Sequence, residues 1–174
     1  MSDYRATGNA CRFRILMVCA ALLAAVAPGV IAGTSTTTFT VSATVLAACT
    51  MSATNMDFGD YDANSGTPND TTSTLSVQCT NGQAYVVSLD AGTTSGNTVA
   101  ARNMTDGGSD LLSYGLYTDA GRTSVWGDGT NGSSTVSGTG NGSQQSLTVY
   151  GRVPISQLVA QGSYSDTITA TVAY

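Results

Sequence analysis

The chain contains no histidine, no lysine and no glutamate. Without His or Lys, a Ser–His or Cys–His nucleophile system has no base, and a two-cysteine metal site lacks the imidazole that would complete it. Without Glu and Lys, the exposed face of an amphipathic helix loses two of its usual formers, while Thr, Ser, Gly, Val and Tyr abound. The composition predicts an all-β fold with no catalytic role. Proline is scarce at three residues. One long apolar run stands out, Ile15 to Ala27, and it is too short for an ordinary membrane-spanning helix.

That run lies in a leader. Arg5, Arg12 and Arg14 precede it, and Val30-Ile31-Ala32 ends in the small residues of a cleavage site. Residues 1–32 are therefore expected to be a signal peptide cut after Ala32. The alternative, Ala25-Val26-Ala27, would place Pro28 after the cut. Val18 before Cys19 does not suit a lipid anchor. The exported chain is expected to carry no integral membrane segment.

Removing 32 of 174 residues leaves 142, one domain's worth, able to bury about two-thirds of its unfolded surface. Three cations, Arg102, Arg122 and Arg152, face ten Asp, a net charge of −7. Such a surface will not track a nucleic-acid backbone or an anionic membrane. Cys11 and Cys19 leave with the leader. Cys49 and Cys79 remain in an oxidising setting, where two thiols allow one intramolecular bridge. Closing that loop of about 30 residues stabilises by roughly 3.5 kcal/mol in the chain-entropy picture.

Strands are legible by period-2 alternation. Phe39, Val41, Ala43 and Val45 alternate with polar residues in Thr36 to Val45. Phe58 to Tyr61 is expected to end a second strand, with Asp62 to Asp70 a polar loop. Thr72 to Cys79, Tyr85 to Asp90, Leu111 to Thr118 and Ser146 to Val153 read as further strands. Arg122 to Trp126 is expected to pair back across the Asp119-Ala120-Gly121 turn. Gly127 to Gln145, almost devoid of apolar residues, is expected to be a long surface loop. At the C-terminus Ile168, Ala170, Val172 and Tyr174 alternate with Thr167, Thr169, Thr171 and Ala173. Such a strand at the chain's end has an edge that needs a neighbour. Roughly seven strands indicate a sandwich of immunoglobulin-like size.

Other constellations carry less. Asp57, Asp60 and Asp62 suit Asx turns at least as well as acid–base work. Asp128-Gly-Thr-Asn131-Gly132 lacks the closing Glu of a calcium loop. Trp126 is a candidate sugar-site residue, though a single Trp at a strand end is more often core. No metal or cofactor is expected.

In order and spacing, Phe39-Thr-Val-Ser-Ala43, Phe58-Gly-Asp-Tyr61, Cys79, Tyr85-Val-Val-Ser-Leu89 and Arg102-Asn-Met104 resemble the spore coat protein U family. So do Leu116-Tyr-Thr-Asp-Ala120, Trp126-Gly-Asp128, Tyr150-Gly-Arg-Val-Pro154, Gly162-Ser-Tyr-Ser-Asp166 and Val172-Ala-Tyr174. That family includes pilin subunits of archaic chaperone–usher pili. The resemblance implies an incomplete immunoglobulin-like sandwich completed by a donor strand from another subunit. Residues 33–48 would be the donor segment, with Phe39, Val41, Ala43 and Val45 its plugs. Residues 49–174 would be the pilin domain, with Ile168, Ala170, Val172 and Tyr174 lining the acceptor groove and contacting the chaperone. The implied partners are a periplasmic chaperone, an outer-membrane usher, and other copies or paralogous subunits. The protein would reach the periplasm and then a surface pilus serving adhesion and biofilm formation. The alternatives are a monomeric secreted binding domain, for instance for glycans, and a spore-coat structural protein.

Overall fold

The computed structural model describes residues 29–174. The expected leader, residues 1–32, therefore lies almost wholly outside the described residues. The chain divides into two units, Met1–Ser42 and Ala43–Tyr174. In the first, residues 29–42 hold no helix or strand, and Phe39 and Val41 are 86% and 84% exposed. Within the second, Val45 and Leu46 are likewise exposed ahead of the first strand.

The second unit is all-β. Its strands are β1 (Cys49–Ala53), β2 (Asn69–Cys79), β3 (Ala84–Leu89), β4 (Arg102–Thr105), β5 (Leu111–Tyr117), β6 (Val136–Thr139), β7 (Gln145–Val153) and β8 (Ala170–Ala173). Five form one sheet in the order β1-β2-β7-β5-β4, and three form the other as β6-β3-β8, all antiparallel. Alternation sorts the side chains. Leu75, Val77 and Cys79 of β2, Leu112, Tyr114 and Leu116 of β5, and Val149 and Val153 of β7 turn inward. They meet Tyr85, Val87 and Leu89 of β3 to form one core. Trp126 is 1% exposed within it, and its indole N–H donates to the Val87 carbonyl at 3.1 Å. It is a core residue, not part of a sugar site.

Two expectations need correction. Phe58 to Tyr61 is not strand: the Asp57 carboxylate accepts from the Gly59 amide at 2.8 Å, and Gly59 turns through φ +61°. The expected surface loop Gly127 to Gln145 contains β6, which pairs with β3 from Ala84↔Thr139 to Val87↔Val136. Arg122 to Trp126 pairs back on β5 as expected, through the antiparallel bridge Tyr117↔Val125, with the Trp126 amide donating to the Leu116 carbonyl and the Thr118 amide to the Ser124 carbonyl. The Asp119 carboxylate takes the Thr123 and Ser124 amides and holds the turn between them.

Cys49 and Cys79 are bonded to each other. They sit directly opposite in the β1–β2 register, with Cα atoms 4.1 Å apart. The flanking bonds, from the Thr80 amide to the Ala48 carbonyl and from the Thr54 amide to the Thr74 carbonyl, assign the even-numbered residues of β1 to the ladder. Cys49 therefore occupies a non-hydrogen-bonded pair, where side chains approach most closely.

Candidate functional site

The same parity argument identifies two open edges. In β8, the Asp90 amide donates to the Thr169 carbonyl, and Thr171 and Ala173 continue that ladder opposite Ser88 and Val86. Ala170 and Val172 consequently turn their backbone groups away from β3. In β1, Met51 and Ala53 turn theirs away from β2. Among the described residues no strand pairs with either edge. Each edge thus presents unpaired amides and carbonyls together with inward-turned apolar side chains.

Between these edges lies a groove of about 710 Å³. Met51, Ala53, Met56 and Phe58 form one wall, and the Tyr164–Ala170 segment forms the other. Leu75, Leu89, Met104, Tyr114, Leu116 and Val149 form the floor, so the groove opens directly onto the sandwich core. An apolar floor beside unpaired backbone is a poor surface to leave in water, because it lacks both cover and hydrogen-bond partners. Phe58 and Tyr114 meet edge to face with centroids 6.3 Å apart. Gly151 of β7 makes the Phe58 position available, since a Cβ there would collide with the Met56 sulfur and the Phe58 ring.

The second wall is pinned by one carboxylate. Asp166 Oδ1 accepts from the Thr93 and Thr94 amides at 2.9 and 3.0 Å and from both of their hydroxyls at 3.1 Å. Its Oδ2 accepts from Asn97 Nδ2 at 3.1 Å and from the Tyr114 hydroxyl at 2.8 Å. Desolvation pushes its pKa up, but the bonds from Tyr114, Thr94, Thr167 and Thr93 outweigh it, and the net shift is down. Burial, and donation to Asp166, push the Tyr114 hydroxyl well above its usual range. Next to this cluster, Arg102 is 1% exposed and donates to the carbonyls of Asp90 and Trp126. Its pKa is lowered by desolvation.

The profile of the Spore Coat Protein U domain matches residues 35–171. The chain belongs to this family. Protein U of Myxococcus xanthus is 36% identical over 162 residues, spanning 82% of this chain and 87% of that protein. A solved relative in fold is a chain of the CsuC–CsuE chaperone–tip adhesion subunit pre-assembly complex, from archaic chaperone–usher Csu pili of Acinetobacter baumannii. The match has a TM-score of 0.54 at 23% identity, over 75% of this chain and 41% of that one. This chain thus spans less than half of the matched Csu chain. The likeness extends to the fold, an all-β sandwich of the kind found in chaperone–usher pilus complexes.

Within this family member, the residues singled out in the sequence occupy distinct places. Ile168 and Ala170 line the groove. Val172 packs on the core beyond it, and Tyr174 is 59% exposed. Phe39, Val41 and Val45 are exposed, as is Ala43. Sequence reasoning missed the first wall and the floor: Met51, Met56, Met104 and Tyr114 fall on four separate segments. It also missed Asp166, although Gly162 to Asp166 is among the segments that carry the family resemblance. Asp57, Asp62 and Asp128 all cap local turns.

Proposed function

We propose that the protein is a structural subunit of a surface fibre built by donor-strand exchange. A periplasmic chaperone first lends a strand to the groove beside β8. At an outer-membrane usher, residues 33–48 of the next subunit, another copy or a paralogue, replace it. Phe39, Val41, Ala43 and Val45 are the plugs, and Ile168, Ala170, Val172 and Tyr174 belong to the receiving strand. The exported subunit passes through the periplasm to the cell surface, where the fibre serves adhesion and biofilm formation.

The observation that carries this reading is the apolar groove flanked by two unpaired strand edges. It occurs in a chain that also holds an exposed, alternating apolar segment. Burying Phe39, Val41 and Val45 is worth roughly 4.5–9 kcal/mol, at about 1.5–3 for each large apolar side chain. Membership of the Spore Coat Protein U family over residues 35–171 favours a second reading, a spore-coat structural protein.

The test separates the two termini. Val41→Arg is expected to abolish fibre assembly while the chaperone-bound subunit stays soluble and folded, because an unpaired charge in an apolar groove costs several kcal/mol. Val172→Arg alters the receiving strand itself and is expected to prevent folding and chaperone capture. If Val41→Arg unfolds the isolated domain, residues 36–45 are an intramolecular strand of a closed monomeric sandwich. The donor-strand reading then fails.

A further inference from the structure

Every methionine among the described residues, Met51, Met56 and Met104, lines the groove. The buried core elsewhere is built from Leu, Val, Tyr and Trp, with Cys79 of the disulfide. The three come from β1, from the segment after it, and from β4, so no local sequence bias gathers them. Each is partly exposed, and each packs on the buried core. The Met56 sulfur is held against Gly151, at a point where a Cβ would displace it. A groove of about 710 Å³ holds on the order of twenty waters at ~30 Å³ each, so small solutes reach its walls.

We propose that Met51, Met56 and Met104 form a methionine-oxidation site that is open only while the groove is empty, and that sulfoxide formation there closes the groove to an incoming strand. The inference rests on the strand-accepting reading of the groove. The oxidant is of the peroxide class. The thioether lone pair attacks one peroxide oxygen, an S–O bond forms and the O–O bond breaks. The hydroxyl proton on sulfur passes to the departing hydroxide, leaving sulfoxide and water; sulfur is oxidised by two electrons and the peroxide reduced. A sulfoxide in the open groove stays hydrated, so the domain keeps its fold. Covering it with an apolar strand strips that water and leaves a strong acceptor unpaired. Oxidation thereby selects unfilled subunits and spares filled ones, whose thioethers are covered.

The test uses the purified exported chain, hydrogen peroxide, and a synthetic peptide of residues 33–48 as the strand. Oxidation at each Met is followed by peptide mass spectrometry, and strand binding by titration. In the strand-free protein all three methionines should oxidise within about tenfold of the rate of N-acetylmethionine amide. Peptide should slow each by at least about tenfold, and the oxidised protein should bind peptide at least about tenfold more weakly. The Met51→Leu, Met56→Leu, Met104→Leu variant, a shape-conserving change, should bind peptide equally before and after peroxide. Oxidation about a hundredfold slower than the free amide in strand-free protein overturns the proposal, as does unchanged binding by the oxidised wild type. Failure of the unoxidised protein to bind any donor peptide overturns the strand-accepting reading, and with it the gating. The oxidation rates then still decide whether the site exists.

Discussion

Replacing Asp166 with Ala removes the acceptor that ties the groove wall to the Thr93–Asn97 turn and to Tyr114. The magnitude follows from who is left without a partner. Thr93 is exposed and recovers its bonds from water, and Asn97 keeps its bond to the Asn103 carbonyl at 3.0 Å. Thr94 and Tyr114 are 9% and 8% exposed, so their donors are stranded. A buried donor left unsatisfied costs about 1–3 kcal/mol. Three of them, the Thr94 amide and hydroxyl and the Tyr114 hydroxyl, predict a loss of at least about 3 kcal/mol, a large share of the ~5–15 kcal/mol a domain possesses. The melting temperature should fall by roughly 10 °C at a few degrees per kcal/mol. Asp166→Asn keeps one acceptor oxygen for the Thr93–Thr94 pair and should lose about half as much.

The effect depends on pH with a definite sign. Because the folded-state pKa of Asp166 is depressed, its contribution is fully present above the unfolded value of about 3.9. It is lost as pH falls through the lower, folded value. Thermal and urea unfolding of wild type and both variants, with the disulfide intact, at pH 7 and through pH 5 to 2, measures both quantities. Wild type should converge on Asp166→Ala at the acid end. If Asp166→Ala lies within about 1 kcal/mol of wild type at pH 7, or loses stability below pH 4 as steeply as wild type, the pin is not what holds this wall.

Two further outcomes are open to measurement. Cys49→Ser should cost about 3.5 kcal/mol by releasing a loop with a sequence separation of 30, and labelling of exported wild type should find no free thiol. Gly140→Ala should cost about 1–3 kcal/mol in urea unfolding. Its Cβ would meet the carbonyl oxygens of Cys79 and Thr80, backbone atoms that cannot swing aside as a long side chain would.

The all-β class, the main strands and the bridge partners were legible in the residues alone, because these rest on local quantities. Alternation at Leu75, Val77 and Cys79 or at Leu112, Tyr114 and Leu116 is a property of neighbouring residues, and so is the absence of helix-forming Glu and Lys. Two thiols outside the expected leader leave one pairing. The receiving side of the groove was half legible for the same reason, since Ile168 and Ala170 show their face by alternating with threonines. Other features have no local signature and emerge only when distant segments pack together. β6 is a run of small residues that becomes a strand because β3 offers it an edge. Asp57 and the positive φ of Gly59 remove Phe58 from strand geometry and hand its ring to the groove wall. Met51 and Met56 lie far from Met104 and Tyr114 in the chain. Only the pairing of β1 with β2 and of β4 with β5 places them around one space. Asp166 looked like one surface carboxylate among ten until the fold brought Thr93, Thr94, Asn97 and Tyr114 within hydrogen-bonding reach of it.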